Sequence, residues 1–194
     1  MKIIELIIEN DEDGIEAISL VEKPAIESNF MTFDKQYQMN LAEVDGEKHI
    51  LMGPALIPNQ MIFRKEGDTK YQVYFSESTV EKASQMYLKA GNQSNATLHH
   101  KTKLDGMTLV ESWIIADSKV DKSKAYGFDL PKGTWMVSMK VENEDVWKKV
   151  KSGEVKGFSI EGYFADKLSL EVLPEISDDQ LVEQILNIID DGKK

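Results

Sequence analysis

The chain is 194 residues long, 41% hydrophobic and 29% charged, enough for one ordinary core and too little for two large domains. Its formal net charge of -11 repels phosphate backbones and anionic lipid, so neither nucleic acid nor a membrane is an expected partner. The absence of cysteine excludes disulfides, thiolate catalysis and cysteine-ligated zinc together.

Taken in chain order, Lys2 to Glu9 is isoleucine-rich and predicts a strand. Broken by Glu5 and Glu9, this run falls short of a spanning helix or a signal peptide, so a cytoplasmic location is the expectation. After the acidic stretch Asn10 to Gly14, Ile15 to Val21 predicts a second strand, and the two together suggest a hairpin. Ser28 to Glu47 has no sustained period and is expected as a connecting loop. A strand-rich block comes next, His49 to Ile57, Gln60 to Arg64 and Lys70 to Phe75, punctuated by Pro58-Asn59 and Glu66-Gly67-Asp68.

The capping-box spacing of Ser78-Thr79-Val80-Glu81 predicts a helix whose apolar side carries Val80, Ala83, Met86, Tyr87 and Ala90, closed by Gly91. Strands are expected again at Ala96 to His100, Met107 to Asp117 and Thr134 to Val141, with a turn at Asp105-Gly106. Asn143 then caps a short helix with acids first and lysines last, before Gly153. Gly157 to Phe164 reads as a strand. Ser177 to Asp191 has the stripe of an amphipathic helix, with Leu181, Val182, Ile185, Leu186 and Ile189 on one side. The expected class is α+β, since many short strands with two or three separate helices suggest a domain built on a curved sheet or barrel. Residues 1–170 form the expected domain, and 171–194 an appended helix and tail behind the Pro174 break.

Chemistry centres on Gly157-Phe158-Ser159-Ile160-Glu161-Gly162. A serine among glycines in an apolar strand can present its hydroxyl to a substrate, and a histidine elsewhere can take the proton. Taken by itself, a serine such as Ser159 is most often an ordinary strand serine, and Gly157 and Gly162 read equally as marks of a bulge or close packing. There are only three histidines, His49, His99 and His100, and no H-x-H or H-E-x-x-H spacing predicts a metal site. Alternation along a strand would turn His99 and His100 to opposite faces. Glu111 lies in the apolar run Leu109 to Ile115, and a hairpin through Asp105-Gly106 would bring it toward those imidazoles. Glu161 shares a strand face with Ser159 and is a second candidate acid.

The ordered set of Ala17-Ile18-Ser19-Leu20-Val21-Glu22-Lys23-Pro24-Ala25, Gly53-Pro54-Ala55-Leu56-Ile57-Pro58, Leu98-His99-His100, Val110-Glu111-Ser112-Trp113-Ile114 and Gly153 to Gly162 resembles the XkdF-like phage serine proteases. These are relatives of the prohead, or capsid maturation, proteases, and the resemblance covers about residues 1–166. It implies a fold similar to the herpesvirus assemblin and prohead proteases, a small β-barrel of short, mainly antiparallel strands flanked by two or three helices, and a Ser–His mechanism that needs no cofactor. The matching nucleophile is Ser159 and the matching base His100, with His99 as its rival. In the commoner prohead proteases an acid precedes a Val/Ile-Ser-Leu-Val stretch; the position matching that acid here is Ala17, with Glu16 one residue away. Glu111 is therefore the expected third member, and Glu161 the alternative. The implied substrates are scaffolding and major capsid proteins, cut inside a procapsid assembling in the host cytoplasm, by an enzyme of a kind that often forms homo-oligomers. A catalytically silent assembly protein with the same fold is the alternative function.

Overall fold

Every position of the strand Gly14–Val21 except Glu16 is buried, the signature of a strand with partners on both edges and cover on both faces. A computed structural model of the chain describes residues 2–10, 12–22, 42–45 and 48–167. In chain order it holds β1 (Lys2–Ile7), β2 (Gly14–Val21), β3 (Ala42–Asp45), β4 (Ile50–Leu56), β5 (Ile62–Glu66), β6 (Thr69–Phe75) and α1 (Glu77–Lys89). After these come β7 (Ala96–Leu98), β8 (Thr102–Leu104), β9 (Met107–Ile114), β10 (Trp135–Val141), α2 (Glu144–Lys151), β11 (Gly157–Tyr163) and β12 (Ala165–Lys167).

The strands form three four-stranded sheets, ordered β12-β1-β6-β5, β3-β4-β10-β9 and β11-β2-β7-β8. Pairing is antiparallel except for β1 with β6 and β2 with β7. The class is α+β as expected, but among the described residues no sheet closes into a barrel. β11 runs close to β4 without a ladder between them, so the sheets share a core without joining edges.

The expected hairpin of the first two strands does not form. β2 gives one edge to β7 and the other to β11, which leaves none for β1. The Asp13 carboxylate accepts from the Glu9 and Asn10 N–H groups at 2.8 and 3.0 Å, and Gly14, at φ +127°, turns the chain into a different sheet. β3 occupies part of the segment expected as a loop. The predicted helix at 177–191, with the rest of the 171–194 tail, lies outside the described residues.

One core takes Ile4 and Val73 from the first sheet, Leu51 and Val137 from the second, and Leu20 and Phe158 from the third. Helix α1 covers it with Val80, Ala83 and Tyr87, whose ring meets Trp135 edge-on at 5.5 Å. The helix starts two residues before the predicted box: its N-cap is Ser76, whose hydroxyl lies 3.1 and 3.0 Å from those of Ser78 and Thr79. α2 begins as expected at Asn143, whose side chain accepts from Asp145 and Val146 N–H at 3.1 Å. His49 stacks on Trp147 of that helix, with ring centroids 4.3 Å apart.

Candidate active site

Ser159 stands on β11 directly opposite Ser19 of β2, and Ser19 in turn opposite Thr97 of β7. Three hydroxyl side chains thus cross one face of the sheet, while Phe158, Leu20 and Ile18 fill the other with the core. Ser19 and Ser159 are both buried. The Ser159 hydroxyl has no hydrogen-bond partner among the described residues.

Over this face folds the turn between β7 and β8. His99 and His100 do not continue the strand, as alternation assumed. They carry φ of +51° and +57°, and Lys101 N–H donates to Leu98 O at 3.1 Å across them. Two consecutive left-handed residues mark the turn type that usually employs Asn-Gly. With two imidazole side chains it stores strain, on the order of 1–3 kcal/mol per residue. What holds it are contacts to β2: His99 N–H donates to Leu20 O at 3.0 Å and His100 N–H to Ser19 Oγ at 2.9 Å.

The turn brings the His100 imidazole to Glu161. Nδ1 lies 3.2 Å from Glu161 Oε1, and the Thr97 hydroxyl donates to the same oxygen. Glu161 comes two residues after Ser159 on the same face of β11, and its cross-strand neighbour is Ala17. Ala17 is the position where the sequence resemblance looks for an acid. A carboxylate therefore reaches that place from the adjacent strand.

The end of β11 depends on one glycine. The register slips between Glu161 and Gly162, a bulge of the kind that re-aims side chains beside active sites. A Cβ on Gly162 would stand 1.9 Å from Gly14 O, so no other residue fits there without moving backbone.

Glu111 is not brought to either histidine. The strand after Asp105-Gly106 pairs with β10, while β7 takes the short β8, which the sequence pattern does not reveal. A register slip opposite Ser138 and Met139 leaves Val110 without a partner and reverses the alternation, so Leu109 is buried while Val110 and Glu111 are exposed. The Glu111 carboxylate accepts from Lys122 Nζ at 2.7 Å and from Ser138 Oγ at 2.6 Å. Lys122, then Ser138, hold it below the usual glutamate range. The same ammonium sits 3.9 Å from the Trp113 ring centroid.

Ser159, His100 and Glu161 thus gather on one sheet face, with Ser19 and Thr97 between them. In the sequence Ser19 stands out only as part of a motif, and its role becomes visible with the turn that it binds. The family model described as "Putative phage serine protease XkdF" matches residues 38–168, about two thirds of the chain. The chain belongs to this family. All the candidate site residues fall within the match, whereas β2, which supplies Ser19 and Ala17, precedes it. No curated protein and no solved structure matches the chain.

Proposed function

We propose that the protein is a serine endopeptidase of capsid maturation, cutting scaffolding and major capsid protein segments inside a procapsid in the host cytoplasm. The observation that carries this reading is the His100–Glu161 contact at 3.2 Å on the sheet face that bears Ser159. A carboxylate on Nδ1 fixes the tautomer in which Nε2 is the free base, and it supports the imidazolium formed when that nitrogen takes a proton. Family membership supports the same chemistry.

In the reaction, Ser159 Oγ attacks the scissile carbonyl while His100 Nε2 accepts its proton. The tetrahedral adduct collapses as His100 returns that proton to the leaving amine. Water, activated by the same nitrogen, then releases the acyl group from Ser159. Backbone direction supplies the oxyanion donor. Ile18 N–H donates to Asn95 O and His99 N–H donates to Leu20 O, so Ile18 and Leu20 turn their polar groups to β7 and Ser19 turns its own to β11. By alternation Ser159 faces β2, and its neighbours Phe158 and Ile160 direct N–H and C=O to the outer edge. The N–H of Ile160, next in the chain after the nucleophile, is the donor for the oxyanion. Because the Ser159 hydroxyl is enclosed, the strained turn at His99 and His100 has to shift to admit a substrate.

That enclosure also favours one rival, a catalytically silent assembly protein. Labelling with a fluorophosphonate separates the two. An adduct on Ser159, lost in Ser159→Ala together with cleavage of the capsid or scaffold chain, is the expected result; processing by the alanine variant at the wild-type rate removes Ser159 from the role.

A further inference from the structure

Among the described residues β11 is the last strand of its sheet, and beyond its outer edge lies a cavity of about 320 Å³ to which Ser159 itself contributes. Its wall is largely apolar: Leu6, Leu56, Ile62, Phe75, Phe158 and Phe164. The Phe75 and Phe164 rings meet edge-to-face at 4.8 Å, which gives that wall a defined shape. One cation also lines the cavity. Arg64 shares a side of β5 with the buried Ile62, two residues earlier. Its guanidinium donates to Phe63 O at 3.4 Å, and among the described residues it has no carboxylate partner.

We propose that this cavity is a substrate subsite, taking one large apolar side chain of an extended peptide laid along β11, while Arg64 takes a carboxylate on the same stretch of peptide. The assignment rests on Ser159 being the nucleophile. Three observations select this occupant. The volume is at the small end for ligand pockets, roughly 300–1,000 Å³, which suits one bulky side chain better than a cofactor. The outward N–H and C=O groups of Phe158 and Ile160 have no ladder partner among the described residues, and an extended chain supplies one. The guanidinium makes the site cationic on a chain of net charge -11, so an acidic segment is drawn here and repelled from most of the remaining surface. A second hollow, lined by Glu12, Asp13 and Glu16 against the single cation Lys89, includes no part of β11 and has the opposite charge preference.

The test is cleavage of a defined mixture of short synthetic peptides, read by mass spectrometry, for wild type, Arg64→Gln and Arg64→Glu. Peptides vary independently in apolar side-chain size and in the charge of the neighbouring residues. Wild type should prefer Leu or Phe over Ala at one fixed position by roughly 10–200-fold. It should also prefer an acid nearby, a preference flattened by Arg64→Gln and turned toward Lys by Arg64→Glu. Narrowing the cavity with Ile62→Phe should shift the apolar preference to smaller side chains. Peptide cleavage with neither preference, or an Arg64→Glu profile identical to wild type, overturns the subsite and leaves the nucleophile standing. A fluorophosphonate adduct on Ser159 without cleavage of any apolar–acidic peptide also overturns the subsite alone. No adduct and no cleavage removes the nucleophile, and the subsite falls with it.

Discussion

Two glutamates in this chain each stand on a strand beside a serine, and their surroundings separate an acid held by an ammonium from one that faces an imidazole. Glu111 pairs across the β9–β10 ladder with Ser138 and is held by the ammonium of Lys122. Glu161 has a hydroxyl donor, Thr97, and faces an imidazole instead of an ammonium. The Lys122 ammonium neutralises its carboxylate partner and lies in contact with neither Ser159 nor the histidines. An imidazole can take a proton and return it. The backbone differs in the same sense, for His100 sits in a left-handed turn pinned by a buried serine, whereas Lys122 lies in an exposed 3-10 turn.

The sharpest way to break this contrast is to neutralise each acid in turn. Glu161→Gln should lower kcat by about 10⁴-fold, the scale seen when a triad acid is made neutral in place, with KM little changed. Glu161→Asp should recover part of that loss, as a purely structural contact would not. Glu111→Gln should leave turnover within about twofold of wild type, because its carboxylate touches neither the histidine nor the hydroxyl. Steady-state kinetics on one peptide decides it. Equal losses from the two variants would sink the distinction drawn here.

Both sheets also carry a bulge, and the two tolerate different residues. On β9 the extra residue is Val110, exposed and free of special backbone demands, so Val110→Ala should change stability by no more than about 0.5 kcal/mol. On β11 the slip falls at Gly162, where a Cβ would meet Gly14 O at 1.9 Å. Gly162→Ala should cost about 3 kcal/mol or more in denaturant titrations, since two strands must part to admit the methyl group. A Gly162→Ala variant as stable as Val110→Ala would show that β11 can relax, and would weaken the claim that the bulge fixes Glu161.

Much of this fold is legible in the sequence, and the losses share a cause. Ser159, the strands around it and the capped helix at Asn143 come from local signals: glycine punctuation, alternation and an Asn before an acid-first run. His100 is reached through resemblance, yet alternation puts it on a strand, since nothing in a His-His pair announces a left-handed turn. Glu111 is preferred over Glu161 in the sequence only if Asp105-Gly106 joins the strand of the histidines to that of the acid, and it does not. The three-residue β8 is too short for periodicity to detect, and a single bulged residue at Val110 reverses the facing of the strand beyond it. That no barrel closes among the described residues has a similar reason: closure depends on which edges pair, and each strand looks the same whether or not its edge is taken.

Ser19 offers a smaller test on the active side of the comparison. Its hydroxyl accepts the His100 N–H at 2.9 Å, so Ser19→Ala leaves that donor without its acceptor and loosens the turn that aims the imidazole. We expect kcat to fall roughly tenfold with KM nearly unchanged, because Ser19 is fully buried and acts through the turn. A rise in KM at constant kcat would instead put Ser19 in substrate binding and detach it from the base.

The smallest effect belongs to Glu111, and its sign is set by the direction of its pKa shift. Lys122 and Ser138 favour the charged form of Glu111 in the folded protein, so its folded pKa lies below its unfolded one. Such a group adds stability that is fully present above the unfolded pKa and is lost as pH falls through the folded value. The pair is half exposed, which caps the gain at about 0.2–1 kcal/mol and leaves it open to screening by salt. The stability gap between wild type and Glu111→Gln should therefore be measurable near neutral pH at low salt. It should narrow as pH drops below the ordinary glutamate range, and shrink again at about 1 M salt. A gap that instead widens on acidification would mean that the charged carboxylate is a burden to the fold, and Glu111 would then belong with groups kept at a cost to stability, as working residues are.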